Sequence, residues 1–155
     1  MYLVARSLRA NRIVEYGTSV GVSTIYLAAA VRDNGGGHVI GSELDSCKLA
    51  MARRNIDEAG LTTLVEVREG DALETLQDPG GSVDLVFLDG FPEFYLPIVK
   101  MLTPRLRNGA VVLADNIFTH RNILAPYRSF VRDSANGFNS MTLLIKYGTE
   151  YSVRL

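Results

Sequence analysis

The chain has one cysteine, Cys47, and no tryptophan among its 155 residues. A lone thiol closes no internal disulfide, so the fold must rest on its apolar core, and a reducing cytoplasm suits it. Cys47 itself is expected to be a small core residue at a helix start. No apolar run approaches the length of a bilayer span, and nothing at the front reads as a signal peptide. Neither sign of charge dominates: 16 basic residues meet 17 acidic ones, for a net charge of −1. Without a basic stripe, neither nucleic acid nor a membrane surface is expected as a partner. There is no internal repeat and no low-complexity tract. Hydrophobic residues make up 47%, which at this length suffices for a single domain, 1–155, with a real core.

Apolar runs alternate with helical patterns along the chain. Tyr2 to Ala10 reads as the last turns of a helix, unusually close to the first strand around Ile13 and Val14. His38 to Ser42, Leu64 to Arg68, Val83 to Leu88 and Ala110 to Ala114 read as further strands. Ser23 or Thr24 is expected to cap the helix after the first strand. Asp45 or Ser46 caps a helix ending at Gly60, with Leu49, Ala52, Ile56 and Ala59 on its inner face. A short helix runs from Ala72 to about Leu76, and Asp78-Pro79-Gly80-Gly81 is a surface turn. Glu93 to Leu106 is predicted as a helix with Pro97 in its first turn or at a break, ended by Asn108-Gly109. Asn122 to about Val131 is another, with Pro126 near its start or at a kink. Met141 to Ile145 and Tyr151 to Val153 close the chain as a hairpin across Tyr147-Gly148-Thr149. Five βα units and a hairpin predict an α/β fold: a Rossmann-like, doubly wound, seven-stranded, mostly parallel sheet with an antiparallel C-terminal hairpin.

The first strand leads into Glu15-Tyr16-Gly17-Thr18-Ser19-Val20-Gly21, an E-x-G-x-x-x-G loop. A dinucleotide fingerprint would place a glycine where Ser19 stands, so that the backbone could approach a pyrophosphate. An acid before the loop repels phosphate and attracts ammonium. The loop therefore favours a nucleoside with a cationic amino-acid tail over NAD, unless Glu15 merely holds the loop backbone. In folds of this kind ligands bind at the carboxyl ends of the strands. Those ends carry Glu15, Glu43, Asp71, Asp89 and Asp115. Glu43 lies about twenty residues past Gly21, where an acid reaches ribose hydroxyls, the alternative being a solvated acid before a helix. Asp71 could accept from the adenine amine or cap the helix that starts at Ala72. Asp89, Asp115 and Asn116 end two strands expected to be neighbours. Two carboxylates and an amide carbonyl suit a hard divalent cation, Mg²⁺, Mn²⁺ or Ca²⁺; the plainer reading is loop capping.

At this point the chain, from about Leu3 to Leu155, resembles a known family. It is similar to the class I S-adenosylmethionine-dependent methyltransferases, and within them to the cation-dependent, catechol-type O-methyltransferases. The matching segments are Val14-Glu15-Tyr16-Gly17-Thr18, Ser42-Glu43, Glu69-Gly70-Asp71-Ala72, Val86-Phe87-Leu88-Asp89-Gly90 and Leu113-Ala114-Asp115-Asn116. Many methyltransferases share the first three, and the last two in this order are more specific to the metal-dependent branch. The resemblance implies that Glu15 and the loop residues Gly17, Thr18, Gly21 and Ser23 hold the methionine part of S-adenosylmethionine. By the same resemblance Glu43 holds the ribose, Gly70, Asp71 and Ala72 lie near the adenine, Asp89 borders the cofactor, and Asp89, Asp115 and Asn116 ligate the metal. It further implies methyl transfer to a hydroxyl of a small, catechol-like acceptor, and it allows a homodimer.

Two departures stand out. The family's general base is a lysine three residues after the first metal aspartate, and here that position is Pro92. The catalytic base is therefore unassigned, with His120, close after Asn116, and Glu93 as the candidates, each also readable as a plain surface residue. The helices that precede the first strand in the family are expected to be largely absent. A methyltransferase that uses no metal, and a module that binds the cofactor without catalysis, stand as the alternative readings.

Overall fold

The computed structural model describes all 155 residues, Met1–Leu155. One seven-stranded sheet runs in the order β3-β2-β1-β4-β5-β7-β6. Its strands are β1 (Arg12–Tyr16), β2 (His38–Glu43), β3 (Val65–Glu69), β4 (Val83–Leu88), β5 (Leu106–Ala114), β6 (Phe138–Leu143) and β7 (Thr149–Arg154). β1 to β5 are parallel, and β7 pairs antiparallel with both β5 and β6. The expected seven-stranded, mostly parallel sheet with an antiparallel edge is thus what the chain forms. The hairpin folds back, so that β7 lies inside the sheet and β6 forms the edge.

The helices are α1 (Tyr2–Ser7), α2 (Val22–Asp33), α3 (Ser46–Glu58), α4 (Ala72–Thr75), α5 (Tyr95–Leu102) and α6 (Ala125–Arg132). Strand side chains alternate between two cores, as a sheet covered on both faces requires. Ile13, Val39, Leu85 and Val111 pack with Leu27, Val31, Leu49 and Ile56 of α2 and α3. Val14, Ile40, Val86 and Val112 pack with Ile98, Val99, Leu102, Tyr127 and Val131 of α5 and α6.

Several local expectations are corrected. β5 begins at Leu106, upstream of the predicted Ala110, and Asn108-Gly109 does not end the preceding helix but lies in an irregularity of the strand. Val83 pairs with Leu106 and Leu85 with Val111, so β5 bulges between them, with Gly109 at φ +76°. Arg107 on the bulge donates to Asp84 at 2.5 Å. The predicted helix over Glu93–Leu106 shrinks to α5, flanked by the 3₁₀ turns Pro92–Phe94 and Thr103–Arg105. Pro97 falls in the first turn of α5, and Pro126 likewise in the first turn of α6. β6 starts three residues before the predicted Met141. Neither Ser23 nor Thr24 caps α2: its N-cap is Gly21 at φ +88°. Asp45 does cap α3, accepting from Cys47 and Lys48 N–H groups. Cys47 is exposed rather than in the core, because α3 turns Leu49, Ala52 and Ile56 inward and the Cys47 and Ala59 positions outward. No helix is long and apolar enough to cross a membrane.

Candidate active site

The strand order reverses direction between β1 and β4, and a cleft of about 340 Å³ opens at the carboxyl ends there. Its walls are supplied by the turns after β1 to β4: Tyr16, Gly17 and Ser19; Ser42, Glu43, Leu44 and Lys48; Gly70, Asp71 and Ala72; Asp89, Gly90, Phe91 and Phe94. Of the expected cofactor residues, Gly17, Glu43, Gly70, Asp71, Ala72 and Asp89 therefore line one space, and Glu15, Thr18, Gly21 and Ser23 do not.

Glu15 is wholly buried beneath the loop. Thr18 and Thr24 hydroxyls both donate to its Oε2, and its Oε1 has no hydrogen-bond partner. Burial raises its pKa, against the lowering effect of hydrogen bonds from Ser23, Thr24 and Thr18. The carboxyl thus ties the loop to the start of α2 through two threonine hydroxyls, not through the loop backbone. Thr24 is spent on this bond, which explains why it caps nothing. Gly41 on β2 is needed here, since a Cβ there would collide with the Thr18 hydroxyl. Gly21 meets α3 instead of the cleft: a Cβ would stand 3.3 Å from Ala52. Gly17 is where the loop must lie flat, because a Cβ at its φ of +95° would come within 2.7 Å of the Asp89–Gly90 peptide.

Glu43 is a brace with both oxygens engaged. Its Oε2 accepts the Ser19 N–H at 2.7 Å and its Oε1 the Asp45 N–H at 2.9 Å. It joins the glycine loop to the start of α3, and each oxygen keeps a lone pair for a further donor. Asp71 caps α4, its Oδ1 accepting the Leu73 N–H at 2.8 Å, and it also forms part of the cleft wall.

Asp89, Asp115 and Asn116 do converge. The ends of β4 and β5 are adjacent, and the Asn116 amide donates to Asp89 Oδ1 at 2.9 Å. Asp115 Oδ1 accepts from Thr149 on β7 at 3.1 Å. Asn116 adopts a left-handed φ of +63°, an unusual backbone state for a residue other than glycine. Partial burial, and then the charge of Asp115, push the Asp89 carboxyl up to about 6, against the Asn116 hydrogen bond. Two carboxylates near enough for the charge of one to raise the other, beside an amide, are a donor set that a divalent cation takes, and such a cation would relieve their repulsion.

Neither candidate base lines the cleft. Pro92 and Glu93 start the 3₁₀ turn, with Glu93 exposed. The His120 N–H donates to the Asn116 carbonyl at 3.1 Å, one turn beyond the acid cluster. The cleft also takes in Tyr16, Ser19, Ser42, Leu44, Lys48, Gly90, Phe91 and Phe94, which the sequence pattern did not single out. The available signal was their place within five residues of the strand-end acids Glu15, Glu43 and Asp89.

Comparison with known proteins agrees with this geometry. Residues 14–117 match the family described as "Methyltransferase domain". The chain is 37% identical over 124 residues to the catechol O-methyltransferase of Mycobacterium tuberculosis, covering 79% of this chain and 56% of that protein. It is 34% identical over 128 residues to the catechol O-methyltransferase of Niastella koreensis, covering 80% and 57%. The chain thus spans little more than half the length of these curated relatives. An O-methyltransferase from Bacillus cereus solved in complex with SAH superposes with a TM-score of 0.89 at 25% identity, over 99% of this chain and 78% of that one.

Proposed function

We propose, from the premise that this chain belongs to the class I S-adenosylmethionine-dependent methyltransferases, in the catechol and caffeoyl-CoA O-methyltransferase family, that it transfers a methyl group from S-adenosylmethionine to one hydroxyl of a small vicinal diol. The observation that carries the reading is the double membership of Asp89. It forms part of the cleft wall and, through Asn116, part of the oxygen cluster at β4 and β5. A group lying in the cleft therefore abuts whatever the cluster holds.

S-adenosylmethionine supplies an activated methyl on a sulfonium. The chain's part is to hold it: Glu43 accepts from the ribose hydroxyls with its remaining lone pairs, and Gly17 and Ser19 present loop backbone to the methionine end. Gly70, Asp71 and Ala72 border the base, and Leu44 and Phe91 offer apolar surface at the rim. Glu15, Thr18 and Thr24 act one layer below, by fixing the loop. Asp89, Asp115 and Asn116 would hold a divalent cation, Mg²⁺, Mn²⁺ or Ca²⁺, which when bound supplies Lewis-acid stabilisation of the charge growing on the acceptor oxygen. Aligning acceptor and methyl in this way can contribute about 7–11 kcal/mol at best.

The position after Asp89-Gly90-Phe91 holds Pro92, which takes no proton, and neither Glu93 nor His120 lines the cleft. This supports slow turnover, and it favours a cofactor-binding module as the second reading. The test is methyl-labelled S-adenosylmethionine with a panel of catechols and their singly hydroxylated analogues, in Mg²⁺ with and without chelator. Label on the catechols alone, lost on chelation, is the expected result. Transfer that survives chelation replaces the metal with the metal-free reading, and tight SAH binding without transfer to any acceptor replaces catalysis with binding.

A further inference from the structure

Tyr16 ends β1 and is only 8% exposed, on the sheet face opposite Glu15. Strand and core would be served equally by an aliphatic residue here, so packing alone does not call for a phenol. Its hydroxyl is spent twice on one residue's backbone. The Phe91 N–H donates to it at 3.1 Å, and it donates to the Phe91 carbonyl at 3.4 Å. A Cβ on Gly90 would fall 2.5 Å from the ring, so the loop backbone lies directly on the aromatic surface. Phe94 and Tyr95 meet the ring edge-on, at centroid distances of 6.4 and 6.2 Å. The Asp89 N–H completes the wrap by donating to the Tyr16 carbonyl at 2.9 Å.

The wrapped segment provides Asp89, Gly90, Phe91 and Phe94 to the cleft. Phe91 is 67% exposed and Phe94 38%, so burial of their own side chains does little to hold them. Their placement depends on what grips their backbone. We propose that Tyr16 is a positioning residue for cofactor binding: its hydroxyl fixes the Phe91 backbone, its ring sets the height of Gly90, and together they hold Asp89, Phe91 and Phe94 where S-adenosylmethionine binds. This rests on the reading of the cleft as that cofactor's site. Burial, chiefly, pushes the phenol up to about 12, so its proton stays in place across ordinary working pH.

The test compares wild type, Tyr16→Phe and Tyr16→Leu. SAH affinity is measured by calorimetry well below the melting temperature, and amide exchange at Phe91 is followed by NMR. Tyr16→Phe should weaken SAH about 3- to 10-fold, the scale of one or two neutral hydrogen bonds, and speed exchange at Phe91 by a comparable factor. Tyr16→Leu, which also removes the ring, should weaken it further. The loss caused by Tyr16→Phe should shrink in a Phe91→Ala, Phe94→Ala background, because the walls it positions are then gone. A merely structural role would lower the melting temperature and leave SAH affinity and that coupling untouched. Wild-type binding unchanged in Tyr16→Phe overturns this inference alone. Failure of wild type to bind SAH overturns the cofactor reading and the inference with it. Should Tyr16→Leu not fold, Tyr16→Phe decides the matter.

Discussion

Glu150 is completely buried at the start of β7 and accepts from four groups: Arg132 Nε at 2.6 Å, Arg132 Nη2 at 3.1 Å, Ser140 Oγ at 2.8 Å and the Thr142 hydroxyl. Replacing it with glutamine keeps the shape, removes the charge and turns an amide NH₂ toward the guanidinium. Removing one partner of a buried pair costs about 3–5 kcal/mol. The Arg132 side chain is 39% exposed and can rehydrate, so we place Glu150→Ala near 3 kcal/mol and Glu150→Gln near 2 kcal/mol. The pH dependence carries a definite sign. Burial alone would raise the carboxyl's pKa, but hydrogen bonds from Arg132, Thr142 and Ser140 outweigh it, and the folded value lies below the ordinary one of 4.5. A depressed carboxylate stabilises fully above its unfolded pKa and loses that stabilisation as pH falls through the folded one. Urea denaturation of wild type and Glu150→Gln should therefore show the full deficit at pH 7 and a shrinking one below about pH 4. An Arg132→Met cycle should return a coupling above about 1 kcal/mol. A deficit under about 0.5 kcal/mol at pH 7, or one that is the same at pH 7 and pH 3, would refute the reasoning.

Two further outcomes follow from the site. Glu43→Ala removes the brace to Ser19 and Asp45 together with the ribose acceptor, and should weaken SAH by about 1–3 kcal/mol in calorimetry while NAD remains unbound. An unchanged affinity would assign Glu43 to the loop alone. Pro92→Lys restores an amine at the position where the resembling family has its base. It should raise the neutral-pH rate on a catechol, within the 10²–10⁴-fold typical of general-base help, whereas wild-type turnover should climb only toward alkaline pH. A fast wild-type rate at pH 7 that His120→Ala leaves alone would point to a base elsewhere.

The parts of this fold written in local pattern were legible. The parallel strands announce themselves as apolar or alternating stretches with an acid at or just beside their carboxyl end, and Asn116 meets Asp89 as the ends of neighbouring strands can. What escaped depends on contacts through space. Asn108-Gly109 reads as a helix stop because a strand bulge shares its turn chemistry, and only the pairing of Leu106 with Val83 separates the two. Thr24 reads as a cap because its alternative partner, Glu15, sits on another element. Cys47 and Ala59 are compatible with an inner helix face by composition, yet the phase of α3 is set by Leu49, Ala52 and Ile56. Tyr16 reads as one more strand residue until the chain returns at Phe91 to take its hydroxyl.

The placement of β7 between β5 and β6 orders events in synthesis. β6 emerges first but has no seat in the sheet until β7, made later, has docked on β5. Until then β5 presents a bare, apolar edge and β6 an unpaired ribbon, the kind of exposed pairing surface that invites aggregation. The same late strand brings Thr149 to Asp115 and Glu150 to Arg132. A nascent chain halted before Thr149 would therefore carry the glycine loop and the Glu43 brace, but neither the final support of the acid cluster nor the lock on α6. Support for the acid cluster would come later in the life of the chain than the Glu43 brace on the glycine loop.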